Sequence, residues 1–105
     1  MSIATDTLTK SGHRPLSRIA GEIVRDMRQT MKSGICPPAA LPYLTAMAEL
    51  EDITDHYMHD SAISIVLYFL GNVAHWRGEK AAALKKELRD IIDEAQGRKK
   101  RGKKA

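Results

Sequence analysis

Residues 62–74, with the sequence AISIVLYFLGNVA, decide the fold of this chain. The run is helix-compatible and apolar on nearly every side, and a helix without a polar face must be surrounded by other structure. It is about 13 residues long, whereas crossing a bilayer takes roughly 20. Asp60 or Ser61 supplies a short side-chain oxygen to cap its start. The run therefore predicts the central helix of a bundle, or a helix partly covered by a second subunit.

Three further helices are predicted outward from this run. The first begins at Pro15, shows apolar residues at helical spacing and ends near Gly34. The second restarts after the break at Cys36 and its two prolines, and reaches about Leu50. The fourth follows Gly78 and covers about residues 79–95. The segment 51–60 is a loop or a short helical turn anchored by Ile53, Tyr57 and Met58.

No segment alternates polar and apolar residues over a strand's length, so no sheet is expected. The predicted fold class is all-α, a compact bundle of about four helices. Its organisation is a flexible leader (residues 1–14), a helical domain (15–96) and a disordered basic tail (97–105). No membrane association is expected.

The net charge of +4 is a property of the tail. Of the 17 basic residues six lie in the last eight positions, which leaves 11 against 13 acidic residues in the rest of the chain. A nucleic-acid-binding domain usually carries its positive charge on the folded face that meets phosphate. The folded part is predicted to be weakly acidic.

Composition also limits the chemistry. The single cysteine, Cys36, excludes an intramolecular disulfide, and no stretch is typical of a signal peptide, so we expect a reducing cytoplasm. The chain lacks a glycine-rich phosphate loop and a Gly-x-Ser-x-Gly nucleophile motif. Cys36 has no surrounding catalytic signature, and a packed thiol is the better interpretation. We therefore predict a protein that is not an enzyme and has no cofactor.

Asp55, His56, His59 and Asp60 form the only ligand-like cluster, to which folding could add His75. Imidazole and carboxylate ligands suit zinc or a non-haem metal. Because no recognised ligand spacing is completed, a solvated loop is the favoured interpretation and no metal site is predicted.

Trp76 and Arg77 are the first candidates for a protein contact, since both residue types are enriched at binding hot spots. The competing interpretation is that Trp76 fills the turn between the last two helices while its N–H donates to a carbonyl. The predicted binding surface combines this pair with the acidic segment and comprises Trp76, Arg77, Asp52, Asp55 and Asp60.

A nucleic-acid interface is the alternative. It would use the fourth helix, where interleaved acidic residues would repel phosphate, together with the tail, whose attraction to phosphate falls steeply with salt. The residues proposed for it are Lys85, Arg89, Arg98, Lys99, Lys100, Arg101, Lys103 and Lys104.

Several motifs resemble a family of small helical proteins from phages, plasmids and other mobile elements. They are Pro15-Leu16-Ser17-x-Ile19-Ala20-x-Glu22-Ile23, Pro42-Tyr43-Leu44-x-Ala46-Met47, Asp60-Ser61-x-x-Ser64-Ile65-Val66-Leu67-Tyr68-Phe69-Leu70-x-Asn72 and Trp76-Arg77-Gly78-Glu79. The similarity spans about residues 14–93, outside the leader and the tail. It implies a mobile-element setting and no particular activity.

The leading hypothesis is thus a non-enzymatic interaction protein of a mobile element that docks on a host or phage protein or nucleoprotein target. An anti-defence inhibitor such as an anti-CRISPR fits this description. The rival is a small DNA- or RNA-binding accessory protein, and a homodimer that hides one side of the third helix is a further alternative.

Overall fold

The computed structural model describes residues 8–34 and 36–97, which form four helices and one short pair of strands. The elements in chain order are α1 (Leu16–Thr30), α2 (Leu41–Met47), β1 (His56–Tyr57), β2 (Asp60–Ser61), α3 (Ala62–Leu70) and α4 (Glu79–Ala95). The predicted mostly helical class with four helices is confirmed. The tail residues 98–105 and the first part of the predicted leader lie outside the described residues.

α1 begins where the loop after α2 can satisfy its first backbone N–H groups. The N–H of Leu16 donates to the carbonyl of Glu51 (2.9 Å), and that of Ser17 donates to the carbonyl of Leu50 (2.7 Å). The first backbone N–H groups of a helix have no acceptor within the helix, and these two bonds supply acceptors from the loop. α1 ends at Thr30, a few residues before the predicted stop, and Gly34 then adopts a positive φ of 72°.

α3 starts as the sequence predicts, because the hydroxyl of Ser61 accepts a hydrogen bond from the N–H of Ser64 (3.1 Å). It ends at Leu70, one turn before Ala74. α3 packs against α2, and Tyr68 stacks on Tyr43 with ring centroids 5.4 Å apart. Leu67 and Tyr68 are exposed, so the described part of the chain does not surround this helix on every side.

The segment between α2 and α3 is a small hairpin, and the prediction that the chain has no strand is wrong here. β1 and β2 pair antiparallel, with Tyr57 opposite Asp60, which leaves Met58 and His59 as a two-residue turn. The backbone N–H of Ala62 donates to the carbonyl of Asp55 (2.9 Å) and links the hairpin to α3. Strands of two residues are too short to show an alternating pattern, so periodicity could not predict them.

Residues 8–14, which the sequence analysis assigned to the leader, contact the helical domain. The N–H and hydroxyl of Ser11 both donate to the Asp52 carboxylate, at 2.9 and 2.7 Å. The Arg14 guanidinium donates to Glu22 on α1 (2.6 Å) and to Glu87 on α4 (2.8 Å). A depression of about 450 Å³ between this segment and the end of α4 is lined by Ser11, His13, Ile53, Ile91, Glu94, Ala95 and Gly97. Residues 8–14 are thus part of the folded unit.

Within the described ranges, no helix combines the length and the apolar character that crossing a bilayer demands.

Candidate functional site

Trp76 lies in the core. Its side chain is 0% exposed, and its indole N–H donates to a carboxylate oxygen of Asp26 on α1 (2.8 Å). Its ring meets Phe69 edge to face, with centroids 6.3 Å apart. The prediction of Trp76 as an exposed contact is therefore wrong, because the indole fills the junction between helices. The alternative interpretation, a buried indole with a partner for its N–H, is confirmed, although the acceptor is a carboxylate.

Lys85 is also turned inward. Its ammonium donates to the carbonyls of Val73 (2.9 Å) and Trp76 (2.7 Å) and lies 5.6 Å from the centre of the indole ring. Burial, and then the positive charges of Arg89 and Arg77, lower the pKa of the Lys85 ammonium. The Lys85 ammonium donates to two backbone carbonyls of the loop before α4 instead of facing solvent. Its predicted contact with phosphate is therefore wrong.

The rest of the α4 interface is smaller than the sequence suggested. Arg89, the other predicted contact on α4, is exposed, and its neighbour Lys86 forms an ion pair with Asp90 one turn away (2.9 Å). The remaining members, Arg98, Lys99, Lys100, Arg101, Lys103 and Lys104, lie outside the described residues. Of the predicted phosphate contacts on α4, only Arg89 is placed to meet a ligand.

Asp52 is a buried structural acid, 4% exposed. Besides Ser11, the N–H (3.0 Å) and the hydroxyl (2.7 Å) of Thr54 donate to its carboxylate. Burial by itself raises the pKa of this carboxyl, but the hydrogen bonds it accepts together outweigh burial and hold the pKa below its usual range. Asp52 therefore does not contribute to a binding surface, and its assignment as a surface residue is wrong.

The remaining predicted contact residues divide between structure and surface. A carboxylate oxygen of Asp55 accepts from the backbone N–H groups of Glu51 (3.2 Å) and Asp52 (3.0 Å), and so holds the turn before the hairpin. Asp60 on β2 and Arg77 before α4 are exposed. The predicted binding surface thus retains Asp60 and Arg77.

The candidate metal ligands do not converge. His56, His59 and His75 are exposed, and residues 8–34 and 36–97 contain no group of three His, Cys, Asp or Glu side chains that could hold a metal ion. Cys36 is buried, its thiol lies 3.5 Å from the carbonyl of Pro37, and burial raises its pKa. A thiol held in its protonated form is a poor nucleophile.

Met58 is the most exposed large apolar residue of the described chain. It stands at the first position of the hairpin turn with its side chain 84% exposed and a φ of 57°. The other described residues with positive φ are all glycines, which have no Cβ to clash. For methionine this backbone costs about 1–2 kcal/mol. Sequence analysis treated Met58 as an anchor of the loop, whereas the turn directs it into water.

Further apolar side chains are exposed in the second half of α3, the helix that follows the hairpin. Leu67 is 49% and Tyr68 58% exposed. We call Met58, Asp60, Leu67 and Tyr68 the hairpin–α3 surface. Aromatic and methionine side chains are enriched in the cores of protein interfaces, with charged groups at the rim.

Comparisons of the chain with protein families, with curated proteins and with solved structures found no match.

Proposed function

We propose that this chain is a non-enzymatic interaction domain that binds a protein partner through the hairpin–α3 surface. The observation that carries the proposal is Met58, an apolar side chain held in water at the tip of a turn whose backbone favours glycine. Backbone strain of this kind tends to persist where a side chain has to be presented in one position.

The acidic residues around Met58 indicate which kind of partner surface would bind there. Asp60 is exposed beside the turn, and the segment 49–60 contains acidic residues but no lysine or arginine. A partner with an apolar pocket bordered by basic side chains would match both the tip and its surroundings.

The proposed origin of the partner rests on the sequence motifs. Their resemblance to small helical proteins of mobile elements leads us to propose a host or phage protein, or a nucleoprotein complex, as the target. An anti-defence inhibitor, of which an anti-CRISPR is one form, is the specific version of this proposal.

Site-specific photocrosslinking in the native host tests the contact. A benzophenone amino acid replaces His59, the exposed neighbour of Met58, and in the control it replaces Lys86 on α4. We expect a crosslinked protein of defined mass from position 59 and none of that mass from position 86. Equal crosslinking from both positions would contradict a surface centred on the hairpin.

The variant Met58→Gly, placed in the position-59 crosslinking background, separates binding from folding. Glycine relieves the positive φ, so the free energy of unfolding should stay level or rise by up to about 1 kcal/mol. The crosslink should nevertheless be lost, because the apolar anchor is gone. Urea denaturation measures the first quantity, and the yield of the crosslinked band measures the second. A stable Met58→Gly protein that still crosslinks at full yield would exclude Met58 as the anchor.

A further inference from the structure

The outward face of α1 is a row of positive charge that the sequence analysis did not identify. Arg18, Gly21, Arg25 and Arg28 are all exposed, and their spacing of three or four residues places them on one side of a helix. Lys32, also exposed, follows just beyond the helix end. The opposite side carries the buried apolar residues of the helix.

The acidic residues of α1 do not neutralise this row, because both have other partners. Glu22 accepts from Arg14 (2.6 Å) and lies 3.7 Å from Lys80. The Arg14 hydrogen bond is the main reason that the pKa of Glu22 is lowered. Asp26 accepts from the buried indole of Trp76 (2.8 Å).

Among the described residues, Arg18, Arg25 and Arg28 therefore have no acidic partner within ion-pair distance. Each guanidinium keeps its donors available. Three arginines lie in one exposed row on a domain that is weakly acidic elsewhere, so within residues 8–34 and 36–97 the outward face of α1 is a surface that attracts anions.

We infer that this row binds the phosphodiester backbone of duplex nucleic acid. A guanidinium offers a planar fork of donors that matches phosphate oxygens in two parallel hydrogen bonds. At 1.5 Å per residue, Arg18 and Arg28 are roughly 15 Å apart along the helix axis, and one DNA strand rises about 3.4 Å per phosphate. The row can thus follow several phosphates of one strand.

Gly21 leaves the middle of the row open. A Cβ added at this position would meet nothing within 4 Å, so no neighbouring side chain shields the helix backbone there. A groove of about 470 Å³ surrounds it, lined by Pro15, Ser17, Arg18, Gly21, Glu22, Arg25 and Glu51. Glu51, which accepts from the Ser17 hydroxyl (2.8 Å), places one negative charge at the N-terminal end. We therefore place the strongest phosphate contacts at Arg25 and Arg28.

The composition of the face favours a duplex over other polyanions. Single-stranded nucleic acid is bound on exposed aromatic side chains, and helix α1 contains no aromatic residue. A helix that lies on a membrane needs a large apolar face toward lipid, whereas Val24 is the one large apolar residue that α1 exposes. Contacts to phosphate alone carry no sequence information, so binding should be independent of sequence.

The test is fluorescence anisotropy of a labelled 20-base-pair DNA with the full-length protein over a salt series. The variant is Arg25→Gln/Arg28→Gln, and the matched control is Lys86→Gln/Arg89→Gln on α4, which removes the same charge. We expect the α1 variant to bind about tenfold more weakly and to reduce the slope of log affinity against log salt by about 2, since each lost phosphate contact removes about 0.9. The control should change much less. The melting temperature of the α1 variant should match that of the parent, because neither α1 arginine has a described ion-pair partner. The control loses the exposed ion pair of Lys86 with Asp90, which contributes little to stability.

Equal losses in the two variants would overturn the inference, because total charge or the tail would then account for binding. Stronger dependence on α4 would overturn it as well. The same would follow if the α1 variant kept full affinity for the duplex while losing affinity for vesicles of anionic lipid or for polyglutamate. The α1 row shares no residue with the hairpin–α3 surface. Loss of the crosslink at position 59 therefore leaves this inference intact, and the reverse also holds.

Discussion

At the scale of single residues, Asp52 shows how a buried carboxylate can hold a peripheral segment in place. The carboxylate accepts from both polar groups of Ser11 and both of Thr54, and so joins residues 8–14 to the loop before the hairpin. His13 strengthens the same junction, since its Nε2 accepts from the N–H of Ile53 (3.1 Å). A carboxylate with this many donors is stabilised in its charged form.

This arrangement predicts that the protein loses stability in acid. The pKa of Asp52 is lower in the folded chain than in the unfolded chain, so its contribution is fully present above the unfolded value, about 3.9. The contribution is lost as the pH falls from there toward the folded pKa. The lowered pKa of Glu22 acts in the same direction.

Urea denaturation of Asp52→Asn and of Asp60→Asn between pH 7 and pH 3 measures this effect. Asp52→Asn should be less stable than the parent at pH 7 and should show a flatter dependence on pH below about 4. Asp60 is exposed, so Asp60→Asn should follow the parent. Parallel pH curves for the parent and Asp52→Asn would contradict the role of Asp52.

At the scale of elements, α1 has a buried apolar side and an exposed charged side, and a glycine interrupts the exposed one. Gly21 lies in mid-helix without a positive φ, and an added Cβ would meet nothing within 4 Å. Glycine in an exposed helix interior costs about 1 kcal/mol relative to alanine because it loses more backbone freedom on folding.

Gly21→Ala should therefore raise the free energy of unfolding by about 1 kcal/mol. Chemical denaturation followed by circular dichroism measures the gain. Gly34→Ala is the control with the opposite sign, since Gly34 has a φ of 72° that alanine adopts only with strain. An unchanged stability for Gly21→Ala would mean that the site is less open than its surroundings indicate.

The helices were the elements that sequence could predict, because local residues give each one either an apolar face of helical period or, in α3, a continuous apolar run of helical length. The repeat of Leu16, Ile19 and Ile23 is sufficient to identify α1, and Ser61 is recognisable as a cap. The hairpin was missed because β1 and β2 have two residues each. The basic row was missed because Glu22 and Asp26 look like neutralising neighbours until their distant partners are known.

At the scale of the whole molecule, Trp76 connects elements that are far apart in sequence. Its indole donates to Asp26 on α1, meets Phe69 on α3, and lies beneath Lys85 on α4. Sequence analysis placed Trp76 on a binding surface and kept a buried aromatic at the turn before α4 as the competing interpretation. It could not identify Asp26 as the partner, since the two residues are 50 positions apart.

Removing the partner of this indole should weaken the whole domain. Asp26→Ala leaves the buried N–H of Trp76 without an acceptor, which costs about 1–3 kcal/mol. Asp26→Asn keeps a carbonyl oxygen at the same place and should cost less. Trp76 is the only tryptophan, so its emission reports both the unfolding transition and the change in its surroundings. Equal destabilisation by the two variants would show that the carboxylate charge, not the acceptor, is what matters.

Residues 8–14 and the end of α4 line the same depression, so the distance between these two segments can be followed with a pair of dyes. Lys10 and Ala95 are exposed on segments that border the same depression, whereas the thiol of Cys36 is buried and its pKa is raised. Cysteines introduced at positions 10 and 95 should thus react with maleimide dyes well before Cys36 does. A donor and acceptor pair at these positions would transfer energy efficiently in the folded chain and lose that transfer on unfolding, which makes the adjacency of the two segments directly visible in solution.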